Sequence, residues 1–359
     1  MIILHLIDTL HAGGAERMVV NLANGLLKRG LKVHVCASRE TGVLSHELDD
    51  GIALLLLNRK STFDLKAIFR LLVYLKKHKV THLHAHGTSF FLGWMAAICY
   101  PKLKFIWHDH YGNAAFLGQR PKKVLKLCAR RMNLILSVNH ALVTYGKKVL
   151  KVNNTVYLSN FSPSAQNLIA VSQDVLKLNV PETFKIVMVA NLRPQKDHLT
   201  LIKAFKIVKT KFDKVSLHIV GAPLDNDYAQ SLQDYLGQQG IASIYFYGAE
   251  PQPQRLMAQA DLGVLSSKSE GLPLTLLEYA HAGLPVVVTD VGACREVVQD
   301  HGLIVPAQNV DALADAISQM IQQPQERAQM AAAFQRHVQA IYDPEVIMDA
   351  LINHYTQLN

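Results

Sequence analysis

The chain has 359 residues, 50% hydrophobic and 18% charged, with a formal net charge of +9. That length and balance predict two globular domains and exclude a small disulfide-stapled module or a disordered chain. The charge is uneven: the first 160 residues hold 23 Lys and Arg against 8 Asp and Glu, the rest 14 against 20. Cys36, Cys99, Cys128 and Cys294 show no C-x-x-C spacing, which argues against a disulfide framework or zinc ribbon and for a reducing, cytoplasmic setting.

The start, Met1 to Ile7, lacks the basic flank and cleavage site of a secretory signal and reads as a buried strand. It runs through Asp8 to Gly13-Gly14 and the opening of a helix. Glycines there let the backbone approach a ligand, and helix-start amides favour an anion such as a diphosphate. A tight turn explains the pair as well, and G-x-G-x-x-G is absent.

Short runs rich in Val, Ile and Leu follow at 32–37, 53–57, 80–84, 104–107, 134–138 and 156–158, separated by helical patterns, as in parallel βα units. Two of those patterns, 66–79 and 120–131, interleave bases with apolar residues. They suit an anionic membrane surface or a solvated face over an ordinary core. The longest apolar stretch, 89–100, is too short for a bilayer, which needs roughly 20 residues. No nucleic-acid-binding signature occurs, so nucleic acid is not an expected partner.

His82, His84 and His86 alternate, and Trp107-His108-Asp109-His110-Tyr111-Gly112 closes the next strand. Their spacing departs from the compact ligand runs of metallohydrolases, so no metal and no other cofactor is expected. His86, His108, His110 and Tyr111 are read as polar groups lining a substrate pocket, the histidines able to hydrogen-bond hydroxyls or take part in proton transfer.

The polar stretch 159–182 marks a domain boundary, placed at 165/166. A second strand series follows at 185–190, 216–220, 244–247, 262–265, 285–289 and 303–305. The loop after its first strand holds Asn191, Arg193 and Lys196 just before a helix at 199–208, where cations beside a helix start make an anion pocket. After the fourth strand comes SSKSEGLPLTLLEYAHAGLPVVVTDVGACREVV, 266–298. Glu270 lies in the loop and Glu278 in the helix behind it; such carboxylates accept paired hydrogen bonds from vicinal hydroxyls, and the amides near Leu274 to Leu276 suit phosphate oxygens. Helices at 310–322 and 325–340 precede an interruption at Tyr342-Asp343-Pro344 and a final helix from Glu345.

The E-x7-E spacing of Glu270 and Glu278, the stretch Ala280 to Gly292 (AHAGLPVVVTDVG), the Lys196 loop and the Gly13-Gly14 start together resemble the retaining GT-B glycosyltransferases of family 4, the glycosyl transferases group 1. The resemblance implies an α/β fold of two doubly wound Rossmann-like domains facing an interdomain cleft. Residues 1–165 would bind the acceptor, 166–344 the nucleotide-sugar, and the helix at 345–359 would pack back on the first domain. It also implies roles. Glu270 would contact the transferred sugar and Glu278 the ribose. Lys196 would hold the diphosphate, aided by amides at Gly13, Gly14, Leu274, Thr275 and Leu276, with Gly271 shaping the turn. His110 would be the active-site histidine, with His108 its rival. The family's G-R-L before the lysine is missing here, where Asn191 and Leu192 stand, and Arg193 is the substitute arginine.

The expected activity is metal-independent transfer of a sugar from a UDP-sugar, or else a GDP-sugar, with retention. The acceptor would be a glycan or lipid-linked hydroxyl in bacterial surface polysaccharide or lipopolysaccharide synthesis. The enzyme would be cytoplasmic, touching the inner face of the membrane through 66–79 and 120–131. A GT-B nucleotide-sugar epimerase and a non-enzymatic basic membrane-surface protein are the alternatives.

Overall fold

The computed structural model describes residues 1–111, 114–162, 178, 180, 183–250 and 252–358. The junction expected at 165/166 lies outside the described residues. The chain divides into one unit of Met1–Phe161 with Pro344–Asn359 and a second of Ser162–Asp343.

In the first unit the strands are β1 (Ile2–Ile7), β2 (Lys32–Ala37), β3 (Ala53–Leu56), β4 (His82–His86), β5 (Lys104–Asp109), β6 (Leu134–Ser137) and β7 (Thr155–Tyr157). Its helices are α1 (Gly14–Lys28), α2 (Leu65–Lys77), α3 (Phe90–Cys99), α4 (Lys122–Ala129) and α5 (His140–Tyr145). The sheet is parallel, ordered β3-β2-β1-β4-β5-β6-β7.

Alternate residues of β1 serve two cores, as the period of two requires. Leu4 and Leu6 pack with Leu71 and Leu75 of α2 and Leu92 of α3, whereas Ile3 and Ile7 pack with Met18 and Leu22 of α1. The chain's final helix (Pro344–Thr356) joins that second core through Ile347, Met348, Leu351 and Tyr355. Burial on both faces explains why the strands read as continuous apolar runs.

The second unit has β8 (Phe184–Val189), β9 (Val215–Val220), β10 (Ile244–Phe246), β11 (Leu262–Leu265), β12 (Val286–Thr289) and β13 (Leu303–Val305), again parallel, ordered β10-β9-β8-β11-β12-β13. Between and after them run α6 (His198–Lys211), α7 (Asn226–Gln239), α8 (Gln254–Met257), α9 (Leu274–His281), α10 (Cys294–Val298), α11 (Val310–Gln322) and α12 (Pro324–Ile341), so the final helix of the chain is α13.

Each sheet reverses its strand order once, between β1 and β4 and between β8 and β11. The crevices at the carboxyl ends of those strand pairs are where doubly wound sheets bind ligands. Most strands fall within one residue of the sequence reading, and two differ by two residues. Hydropathy stops β4 at His84 and β5 at Trp107, yet the register of β4 with β5 carries β4 on through His86 and the register of β5 with β6 carries β5 on through Asp109. Both extensions are histidine-bearing and fully paired, which an apolar count does not register.

Candidate active site

In the second unit, the loops leaving β8 and β11 meet at the switch point. Ser266 donates its hydroxyl to the carbonyls of Lys196 (3.2 Å) and Asp197 (3.0 Å), and the Lys268 amide donates to Gln195 O at 2.7 Å. Asp197 takes φ +50°, a left-handed conformation that Asp tolerates, and anchors α6 by accepting from the Thr200 hydroxyl at 2.8 Å. So held, Lys196 Nζ lies 2.7 Å from Glu270 Oε1, and the Ser267 hydroxyl donates to the same oxygen at 2.6 Å. The Glu270 side chain is 6% exposed and the lysine 28%.

Gly292 fixes the Glu270 backbone. Its φ is +55°, and a Cβ there would stand 2.3 Å from Glu270 O. Gly271 accepts from the Ala293 amide at 2.9 Å, tying the same turn to α10.

Glu278 is buried, and its Oε1 accepts from Gln254 Nε2 of α8 at 2.9 Å. Helix α9 starts after Pro273 with no side-chain cap, so its first-turn amides have only the backbone or a ligand to satisfy them. Of the three amides expected to hold phosphate, that of Leu276 turns back to Pro273 O at 3.2 Å, a one-turn closure that commits it within the helix. Leu274 and Thr275 carry the remaining expectation, with the Thr275 hydroxyl tied to Val189 O at 3.2 Å.

Asn191 does not face this pair with its carbonyl, which accepts from the Ala222 amide at 2.9 Å and ties the ends of β8 and β9 together. Arg193 is exposed on the loop.

In the first unit, α1 opens at Gly13 without a side-chain cap, and nothing lies within 4 Å of where a Gly14 Cβ would stand. Gly13 has an extended φ of −165°, so its backbone demands no glycine, but a Cβ there would stand 2.3 Å from Glu16 Oε2 and that side chain would have to move aside. Beside it Asp8 accepts from the hydroxyls of Ser38 (2.6 Å) and Thr88 (2.7 Å) and from Arg59 Nη2 (2.8 Å). Burial opposes the Asp8 charge, but those hydroxyls and Arg59 win and hold the carboxyl below its usual range.

His86 and His108 are enclosed, while His110 and Tyr111 are half-buried. His86 Nδ1 lies 3.0 Å from His110 Nε2, and desolvation pulls His110 down to about 3. His110 is therefore a neutral hydrogen-bonding group at physiological pH, with Nδ1 as the nitrogen not taken by His86. Neither nitrogen of His108 has a partner among the described residues. Asp109 is consumed by Arg120, which donates to both its oxygens at 2.7 and 3.0 Å and lies over the Tyr111 ring at 4.5 Å.

Sequence reasoning missed Ser267, Gln254, the Asp8–Arg59 pair and His5. Ser267 was visible within the SSKSEG run; the others join partners tens of residues away, and nothing local marks them.

The family Glycosyltransferase Family 4 matches residues 12–178 and the family Glycosyl transferases group 1 matches residues 174–337. The chain is 26% identical to the O-antigen biosynthesis glycosyltransferase WbnH of Escherichia coli, over 82% of each chain. It is 24% identical to the UDP-Gal:alpha-D-GlcNAc-diphosphoundecaprenol alpha-1,3-galactosyltransferase of Escherichia coli, over 78% of this chain and 77% of that one. Its fold matches the crystal structure of Anabaena HepE in complex with UDP-glucose, with a TM-score of 0.82 over 99% of both chains at 19% identity.

Proposed function

This chain belongs to the glycosyl transferases group 1, with a family 4 first half and the GT-B fold, and from that premise we propose that it moves a sugar from a UDP-sugar, with GDP-sugars the second donor class, to a lipid-linked glycan with retention. The observation that carries the reading is the convergence of Lys196 and Glu270 at 2.7 Å, a cation and a hydroxyl-accepting carboxylate delivered by the two strands that flank the switch point. The UDP complexes of HepE and the UDP-Gal named for the galactosyltransferase support uridine as the base.

In the reaction the bond from the anomeric carbon to the diphosphate oxygen breaks, and an acceptor hydroxyl bonds to the same face of the sugar. The hydroxyl proton leaves on the departing diphosphate, so atoms and charge balance. Lys196 and the amides of Leu274 and Thr275 oppose the charge that builds on the diphosphate, which gives the step its electrostatic stabilisation without a metal there. Glu270 accepts from the sugar's hydroxyls, and Glu278 from the ribose. His110, neutral, hydrogen-bonds a hydroxyl rather than acting as an acid. Gly13 and Gly14 offer the amide end of α1 to an anionic group. Retention is supported by the family resemblance and by the alpha linkage in the galactosyltransferase relative's name.

The acceptor reading rests on the first unit's surface. Helix α2 exposes Leu65, Phe69 and Val73 beside Lys66 and Arg70, and α4 exposes Val124 and Leu127 beside Lys123 and Lys126. Apolar groups among bases fit the inner face of an anionic membrane, where each base near the headgroups contributes about 1 kcal/mol. No helix among the described residues is long and apolar enough to cross a bilayer. The names of the O-antigen relatives support a bacterial surface polysaccharide as product.

Calorimetric titration with UDP, GDP, ADP and dTDP in EDTA tests the donor reading, with UDP expected to bind alone or tightest. A requirement for a divalent ion, or no binding at all, refutes it.

A further inference from the structure

The first sheet carries a row of imidazoles where its neighbours are aliphatic. His5 pairs in register with His84, and His86 with His108, so all four share the sheet face that Ile3, Ile7 and Ile106 fill elsewhere under α1 and α13. His5, His84 and His86 are 0, 0 and 1% exposed.

A neutral imidazole brings one donor and one acceptor nitrogen. His84 Nδ1 is 2.6 Å from the Tyr355 hydroxyl, and His5 Nδ1 is 2.9 Å from His86 Nε2. The Nε2 atoms of His5 and His84 nevertheless have no partner among the described residues, although both are wholly enclosed. Orphaned buried nitrogens of this kind call for an unseen partner. One nitrogen from each of His5, His84 and His86 lies within 4.8 Å of the others.

We propose that His5, His84 and His86 form a binding site for a divalent transition-metal ion of the zinc type, held on the first sheet beneath α13. Imidazole nitrogens suit such ions at about 2.0–2.1 Å: the orphan that the ion answers is His84 Nε2, while His5 Nδ1 and His86 Nε2 exchange their mutual hydrogen bond for bonds to the ion, the rings drawing together and the His5 proton resting on Nε2. Tyr355 supplies the outer partner that ligating histidines require: His84 Nδ1–H donates to its hydroxyl and turns Nε2 inward. Three nitrogens leave a fourth position for water.

The site has a consequence next door. With the ion on His86 Nε2, the His86 proton sits on Nδ1 and is donated to His110 Nε2, so His110 carries its own proton on Nδ1. The ion would thus set the tautomer of His110. None of its ligands belongs to the donor-holding loops, so the site stands or falls apart from the donor reading.

The full chain, stripped with EDTA and dialysed, is titrated with Co²⁺ and then Zn²⁺. One Co²⁺ per chain with visible bands of a low-coordinate ion, displaced by Zn²⁺, is expected. X-ray absorption of the zinc form should show a nitrogen shell at about 2.0–2.1 Å with imidazole scattering. His5→Leu and His84→Gln should each weaken binding at least about 10-fold, and Tyr355→Phe by about 10–100-fold. His11→Gln, at an exposed histidine, should leave it unchanged. Absence of uptake, which would mean that water satisfies the imidazoles, overturns the proposal, as does an oxygen shell or undiminished binding by the His5 and His84 variants. If those variants fail to fold, the absorption spectrum of the unaltered chain decides by itself.

Discussion

Lys196 Nζ and Glu270 Oε1 stand 2.7 Å apart although 74 residues separate them, and the carboxylate is far more enclosed than its partner, 6% against 28% exposed. The pair is therefore asymmetric. Removing the lysine strands a buried charge, whereas removing the carboxylate leaves a lysine with access to water.

Lys196→Met should lower stability by about 1–3 kcal/mol, and Glu270→Gln by less than about 1 kcal/mol. Both should reduce transfer by about 100-fold or more, since on the proposed reading each removes a contact to the reacting donor. Urea unfolding of the two variants checks the order. If Glu270→Gln proves the more damaging to stability, the ion pair is not the asymmetric one described.

Gly292→Ala should disturb Glu270 selectively. The alanine Cβ would meet Glu270 O at 2.3 Å, and φ of +55° is unfavourable for it. We expect a stability loss of about 1–3 kcal/mol and loss of transfer with UDP affinity kept through Glu278. Wild-type turnover in this variant would show that the close approach is relaxed at no consequence.

Acid should weaken the first unit. Desolvation holds His5 at about 3 and His110 at about 3, and His84, His86 and His108 well below their usual value. The unfolded chain takes up those protons near pH 6.5 while the folded chain refuses them. Stability is thus complete above about 6.5 and falls as pH drops toward the folded values, by about 1.4 kcal/mol per pH unit for each imidazole. Urea midpoints in EDTA at pH 7.5, 6 and 5 should decline steeply over the last interval. A flat profile to pH 5 would mean that these histidines are not buried neutral.

Deleting residues 344–359 should unfold the first unit and spare the second. Ile347, Met348, Leu351 and Tyr355 are each at most 5% exposed within the first unit's core. At about 1.5–3 kcal/mol per buried side chain, their loss rivals the whole stability of a domain, about 5–15 kcal/mol. Arg29 also reaches Glu345 at 2.5 Å and Asp349 at 3.5 Å, but those exposed carboxylates contribute little. Hydrogen exchange should show loss of protection across β1 to β7 while β8 to β13 stay protected. Supplying the peptide 344–359 in trans should restore it.

Much of this protein was legible in its amino-acid order. Strands and helices follow from local period and composition, so β1, β2, β11, β13 and α11 fall where hydropathy puts them. The loops bearing Lys196 and Glu270 were recognisable because each is a short, largely polar run holding a proline, between an apolar strand and the helix that follows it. What local pattern cannot carry is pairing. His5 is a single polar residue in an apolar run, and only the hydrogen-bonded register of β1 with β4 sets it opposite His84. Likewise β4 and β5 run on through His86 and Asp109 because neighbouring backbones supply hydrogen-bond partners there, whatever the side-chain polarity. Composition along the chain decided that two α/β units form. Tertiary structure decided which strands lie side by side, and with them that Lys196 faces Glu270 and that the histidines gather, because contacts between distant residues depend on strand order and register rather than on local sequence.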